Sequence, residues 1–317
     1  MNGNLQPSDQ FMSAEPRPSM GTGWFALACL FLVGTAMDVA CRYHPANLPY
    51  VMPWEFSWPV FLVVFVTLGW FWLGLRRLSA NERPSRWRIA GFLTGLLADY
   101  AILQTHVDYL AQHMFFIHRA AHFVLLYPAP LLIALSAPGQ VVRAGMPDYL
   151  KSLNDTPALR RAFDFMRRSM TAPLFFVGLI YFWLIPQIHA RAMLDSNVHD
   201  AMDWSVAISA ITFWSAMLDQ RPKPPASTSF YARLTLILLV LLPQVALGAA
   251  LFWSTTDVYP IYAICGRIFS MTALDDQHFG GIIIALPSTV MCIVAIGLVL
   301  AAMRRSRIAD VPTSNSV

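Results

Sequence analysis

The histidines at positions 118 and 122 are the residues of this chain best suited by type and spacing to chemistry. Both lie in the segment His113-Met-Phe-Phe-Ile-His118-Arg-Ala-Ala-His122. Residues four apart project from one face of a helix. Met114 lies one turn earlier on that face. Two imidazoles and a thioether favour copper, especially Cu(I), over hard cations. His113 is also a candidate ligand, although its position about 140° from His118 round the helix requires a later helix start. The alternative is a pair of neutral histidines that hydrogen-bond to neighbouring helices.

Two further polar clusters are candidates for the same site. His199 and Asp203 are again four residues apart, and His278 follows Asp275-Asp276-Gln277. Taken singly, each cluster is more typical of a helix-capping group than of a ligand set, since carboxylates favour helix N-termini. Together with His118 and His122 they are predicted to converge on one site, which His189 could join.

Arg119 lies between the two central histidines in an otherwise apolar segment. A buried guanidinium needs a partner. We expect a carboxylate such as Asp99 or Asp203, a backbone carbonyl, or a bound anion such as a haem propionate.

The elements that position these residues are long apolar segments. The chain has 317 residues, 56% hydrophobic and only 13% charged, about half the charged fraction of a typical soluble domain. Several apolar runs approach the ~20 residues that cross a bilayer as a helix. The sequence therefore predicts an all-α, polytopic transmembrane helix bundle with eight spans, or seven if the first is a cleaved signal. The predicted spans are Trp24–Ala40, Trp58–Leu75, Ile89–Leu103, His113–Leu135, Ala172–Ile188, Met202–Leu218, Tyr231–Trp253 and Gly281–Met303.

The basic residues predict the orientation of these spans. Of the 22 Lys and Arg residues, 18 lie before the first span or after the second, fourth, sixth and eighth spans. Basic loops face the cytoplasm, so both termini are predicted to be cytoplasmic. The domain assignment is a disordered cytoplasmic tail at 1–20, one helical domain at 21–305 and a cytoplasmic tail at 306–317. Within the longest cytoplasmic loop, Ala158–Met170 indicates a basic amphipathic helix on the inner leaflet or a solvated connector.

In this topology all eight histidines lie in outer loops or the outer parts of spans. Ten of the 18 acidic residues also lie in the outer loops or at or near the outer halves of spans. Sorting of basic residues to the cytoplasm explains the acids but not the histidines. A face rich in imidazole and carboxylate suits a metal cation, so the site is predicted to face outward.

Three blocks of residues resemble the CtaG family of cytochrome c oxidase assembly factors, multi-pass proteins of bacterial membranes. The match runs over roughly residues 55 to 305, with the blocks in the family's order. They are His118-Arg-Ala-Ala-His122 with Pro130-Leu131-Leu132; Trp183-Leu-Ile-Pro186 with His199 and Phe213-Trp214; and Val258-Tyr259-Pro260 with Asp276-Gln277-x-x-Gly280-Gly281. The sequence departs from the family at three positions. Leu184 stands where the family has a histidine, Asp203 where a second histidine is frequent, and Arg119 where a methionine is typical.

The resemblance implies a non-enzymatic assembly factor, a chaperone of the bacterial inner membrane that binds or delivers copper to a haem–copper oxidase. Its partners would be cytochrome c oxidase subunits and the lipid bilayer, with no nucleic acid. The candidate ligands are Met114, His118 and His122, with His113, His199, Asp203 and His278 as additional ones. Two alternatives stay open, a b-type haem redox protein and a copper transporter. Few ionisable residues occur in the inner halves of the spans, which argues against transport.

Overall fold

The computed structural model describes residues 20–44, 47–53, 55–224, 226–264 and 266–309. Regular structure in these ranges is helical throughout. The helices are α1 Met20–Tyr43, α2 Trp58–Arg77, α3 Arg86–Gln104, α4 His106–Ala111, α5 Phe115–Leu126, α6 Pro128–Ser136, α7 Gly139–Gly145, α8 Asp148–Asn154, α9 Pro157–Met166, α10 Thr171–Trp183, α11 Pro186–Leu194, α12 Ser196–Met217, α13 Phe230–Phe252 and α14 Ala273–Ala309, with a short 3-10 turn at Pro260–Ala263.

Several of these helices are long and apolar enough to cross a membrane. Among the described residues they are α2, the α5–α6 segment Phe115–Ser136, α13, and Ala273–Ile308 within α14. The α10–α11 pair adds a fifth if its bend of 76° lies within one span. The all-helical membrane fold is thus confirmed, while the count of eight spans and the orientation of the termini remain predictions.

Two of the predicted spans are interrupted at prolines. The α5 helix ends where Tyr127 leaves helical geometry, and Pro128 begins α6, because a proline ring disfavours helical geometry in the residue before it. The α10 helix ends at Trp183, and Pro186 begins α11. The second break leaves the Trp183 carbonyl free to accept a hydrogen bond from His189.

The last two long helices pack together through glycines. A Cβ at Gly281 would lie 2.6 Å from the carbonyl oxygen of Gly248 and 2.9 Å from the amide nitrogen of Phe252. Only residues without side chains permit this approach of α13 and α14. The first turns of α14 also contact α5, the helix that carries His118 and His122.

The basic connector and the end of the last helix can be compared with the prediction. The amphipathic helix predicted at Ala158–Met170 is present as α9, which ends at Met166, with Phe163 and Phe165 about half exposed; its place on the inner leaflet remains a prediction. The α14 helix continues to Ala309, past the predicted domain end at residue 305. Residues 1–19 and 310–317 lie outside the described part of the chain.

Candidate metal centre

Two helices bring four candidate ligands together. His118 and His122 are the fourth and eighth residues of α5, and His199 and Asp203 are the fourth and eighth of α12. All four side chains are buried. The rings of His118 and His122 stack with centroids 4.3 Å apart, and the His199 ring lies 5.9 Å from that of His118. The spacing of four puts each pair on one helical face, and the packing of α5 against α12 makes the faces meet.

His118 lies at the centre of this group. Its side chain is 1% exposed, yet neither ring nitrogen has a hydrogen-bond partner in the structure. Buried polar atoms are almost always hydrogen-bonded, and an unpaired one costs about 1–3 kcal/mol. A neutral imidazole whose buried lone pair has no hydrogen-bond partner can serve as a ligand to a metal ion.

Two carboxylates hold the other imidazoles. His122 Nε2 donates to Asp203 Oδ1 at 3.1 Å, and His199 Nε2 donates to Asp108 Oδ1 at 3.0 Å. For His122, donation through Nε2 leaves the Nδ1 lone pair of the neutral imidazole available to a metal, as in carboxylate–histidine–metal arrangements. One ligand atom each from Asp108, His199 and Asp203 lie within 4.8 Å of one another, so these groups can also share a cation.

His189 also borders the cluster, with its ring 5.2 Å from that of His118. Its Nδ1 donates to the carbonyl of Trp183 at 3.1 Å, and its Nε2 accepts from the Tyr262 hydroxyl at 2.8 Å. Both nitrogens are therefore engaged, and His189 acts as a wall of the site. The sequence offered His189 as an optional member, whereas nothing in it indicated Tyr262, 73 residues away.

Three other predicted ligands have different surroundings. The Nδ1 of His113 lies 2.8 Å from the carbonyl of Tyr109, and the Nε2 of His278 lies 3.0 Å from the carbonyl of Ser254. Met114 is buried with extended backbone just before α5 begins, so helical spacing does not place its sulfur on the His118 face. Another thioether, that of Met193, lies 3.7 Å from the Tyr262 hydroxyl.

The Asp-Gln-x-x-Gly-Gly motif fixes α5 in position. Asp276 accepts hydrogen bonds from the backbone amides of Phe115 at 3.0 Å and Phe116 at 2.8 Å, which caps the N-terminus of α5 from a neighbouring helix. Gln277 accepts from the amide of Val258 at 2.7 Å. Gly280 lies directly under the Phe115 ring. The motif therefore holds the first turns of α5, where His118 lies, against α14.

Arg119 is the remaining charge of the site and is 5% exposed. Its Nε and Nη2 are buried without hydrogen-bond partners. Neither expected carboxylate pairs with it: Asp203 is engaged by His122, and Asp99 Oδ1 is itself buried and unpaired.

The fold and the site define a helical membrane protein with a buried histidine–carboxylate cluster. The family model described as cytochrome c oxidase caa3 assembly factor (Caa3_CtaG) matches residues 69–306, about three quarters of the chain. The chain belongs to this family, which confirms the resemblance seen in the sequence. Neither a curated protein nor a solved structure matches it significantly.

Proposed function

We propose that this protein binds copper at the His118 centre and supplies it during assembly of a caa3-type cytochrome c oxidase. Membership of the assembly-factor family supports the role and the oxidase as partner. The observation that carries the metal proposal is His118, whose two ring nitrogens are buried and unpaired beside a second imidazole.

The chemistry of the donors fits copper. We assign His118 and His122 as primary ligands and His199 and Asp203 as additional ones, since imidazole nitrogen binds late first-row metals well. Asp108 orients His199, and His189 shapes the wall. Zinc has similar ligand preferences, and the titrations below therefore include Zn(II). The role requires no catalysis, and we propose a non-enzymatic, chaperone-like protein.

The centre is proposed to face the periplasmic side of a bacterial inner membrane, with both termini in the cytoplasm. The support is the distribution of Lys and Arg, 18 of which fall on the predicted cytoplasmic side. A site on the outer side suits the transfer of copper to an oxidase centre without crossing the bilayer.

The test is metal binding by the detergent-purified protein. Cu(I), Cu(II) and Zn(II) are each titrated, and bound metal is counted after gel filtration. We expect about one copper per chain, and a loss of at least tenfold in affinity for the double variant His118→Ala/His122→Ala. His278→Ala is the matched control, because that histidine bonds to a carbonyl away from the cluster and should leave binding unchanged.

A second readout is cytochrome oxidase activity of membranes from host cells that carry each variant. The double variant should lose activity, and copper in the growth medium should restore part of it. If the wild-type protein takes up no copper, or if the double variant supports full oxidase activity, the proposal is wrong.

The two alternatives receive less support. In a b-type haem with two axial histidines, the ligands lie on opposite sides of the porphyrin. His118 and His122 stack on one helix with 4.3 Å between centroids, so this pair cannot supply both axial ligands. A sharp absorption band of reduced haem in the purified protein would reverse this preference. Copper uptake by reconstituted vesicles would favour the copper transporter over the assembly factor.

A further inference from the structure

Arg119 carries a positive charge into the interior, and no carboxylate among the described residues hydrogen-bonds to it. It is the fifth residue of α5, and its guanidinium carbon lies 5.4 Å from the centroid of the Phe115 ring. Taking an unpaired ion out of water costs several kcal/mol, which one aromatic face only partly offsets. Its Nε and Nη2 nonetheless have no hydrogen-bond acceptor.

The nearby carboxylates are committed to other groups. Asp203 accepts from His122 and lies 3.6 Å from Nε2 of His199. Asp276 accepts from the two amides that begin α5. Each is fixed by these bonds, so a rotation toward Arg119 would break the histidine cluster or uncap the helix.

Another buried arginine shows how this fold satisfies such a group from within. Arg233 is 0% exposed, and its terminal nitrogens donate to the backbone carbonyls of Asp219 and Arg221. The Nε of Arg233 is unpaired as well, so the two arginines differ at Nη2, which in Arg119 has no acceptor among the described residues. The described residues therefore leave a buried N–H donor of Arg119 free for a bound ligand.

We propose that Arg119 binds a small anion, of the size of a halide or formate, beside the histidine cluster. A guanidinium presents its N–H donors in a fixed fork that suits such a ligand. This anion site goes beyond the proposed copper function and does not depend on it. If both ligands bind, the anion lowers the electrostatic cost of a cation nearby, so each raises the affinity of the other.

The test uses the metal-free protein. Thermal unfolding in detergent is followed while bulky gluconate is replaced by bromide at constant ionic strength. A ligand that binds only the folded state raises the unfolding temperature in a saturable way, here by roughly 2–4 °C at several times its Kd. We expect this rise in the wild type and none in Arg119→Gln. The variant Arg191→Gln, which removes an exposed arginine of α11, should respond like the wild type.

Gluconate alone provides the second comparison. Removal of an uncompensated charge should leave Arg119→Gln at least as stable as the wild type there, whereas loss of an internal ion pair would destabilise it. Diffraction from crystals grown in bromide should give an anomalous peak within hydrogen-bond distance of Arg119. A wild type without a bromide response, or an Arg119→Gln variant that retains it, overturns the proposal.

Copper binding is measured separately on the same samples. A bromide response that depends on Arg119 in protein that binds no copper would contradict the proposed function alone. Copper binding without any bromide response would contradict the anion site alone.

Discussion

Replacement of Asp276 should loosen the helix that carries the candidate metal ligands. Asp276 is 1% exposed and accepts from the amides of Phe115 and Phe116. A hydrogen bond to a charged group contributes about 1.5–3 kcal/mol. Asp276→Ala removes both bonds and should lower the free energy of unfolding by about 4 kcal/mol. Asp276→Asn keeps one acceptor oxygen but no charge, and should lower it by about 2 kcal/mol.

The assay is unfolding of the purified protein in increasing SDS, followed by circular dichroism. The matched control is Asp275→Asn, because Asp275 lies in the first turn of the same helix but is exposed and accepts from the side chain of Thr272. Its loss should cost less than about 1 kcal/mol, as for exposed groups generally. Hydrogen exchange gives a local readout: amides of peptide 113–122 should exchange faster in the Asp276 variants.

The outcome also bears on function. Fraying of the first turns of α5 should weaken copper binding even though Asp276 is not a proposed ligand. If Asp276→Asn is as stable as Asp275→Asn and residues 113–122 exchange at the wild-type rate, the capping argument is wrong.

Two further predictions concern helix packing and the basic connector. Gly281→Ala should destabilise the protein by about 1–3 kcal/mol in the same SDS assay, because the new Cβ meets the backbone of α13. Gly297→Ala, on the same helix with nothing within 4 Å, should be neutral or slightly stabilising; equal effects of the two would refute the close-packing argument. Asp155 lies in the connector after α8, and two flanking arginines lower its pKa to about 2. Its contribution to stability is therefore full above the unfolded pKa of about 3.9 and lost as pH falls through 2. The difference in unfolding temperature between wild type and Asp155→Asn should stay constant from pH 7 to 5 and disappear near pH 2, and a difference that fades by pH 5 would contradict the assignment.

Local spacing explains why part of the site could be predicted. The helical period alone places His118 with His122, and His199 with Asp203, on one face each. The structure brings these four together, as the sequence indicated. The same period explains why His278 does not face α5. His278 follows Asp276 by two residues and so points about 200° away from it round the helix, while Asp276 faces α5.

Contacts across long separations could not be predicted in this way. The bond of His189 to Tyr262 spans 73 residues, and that of His199 to Asp108 spans 91. Such pairs depend on how separate helices pack, which one sequence does not encode as a local pattern. The helical period does not apply to Met114, because α5 begins one residue after it, and its role as a ligand stays a prediction.

The sequence by itself determined that this is a helical membrane protein and which family it resembles, and it indicated the two histidine-bearing helical faces that form the candidate site. These properties follow from composition and from periods of a few residues, which every helix obeys. Only the tertiary structure decided that the Asp-Gln-x-x-Gly-Gly motif caps α5 and that His189 forms a wall. It also decided that, among the described residues, both ring nitrogens of His118 and two guanidinium nitrogens of Arg119 have no hydrogen-bond partner. A missing partner is a property of the packed interior, because every polar group in an unfolded chain is satisfied by water.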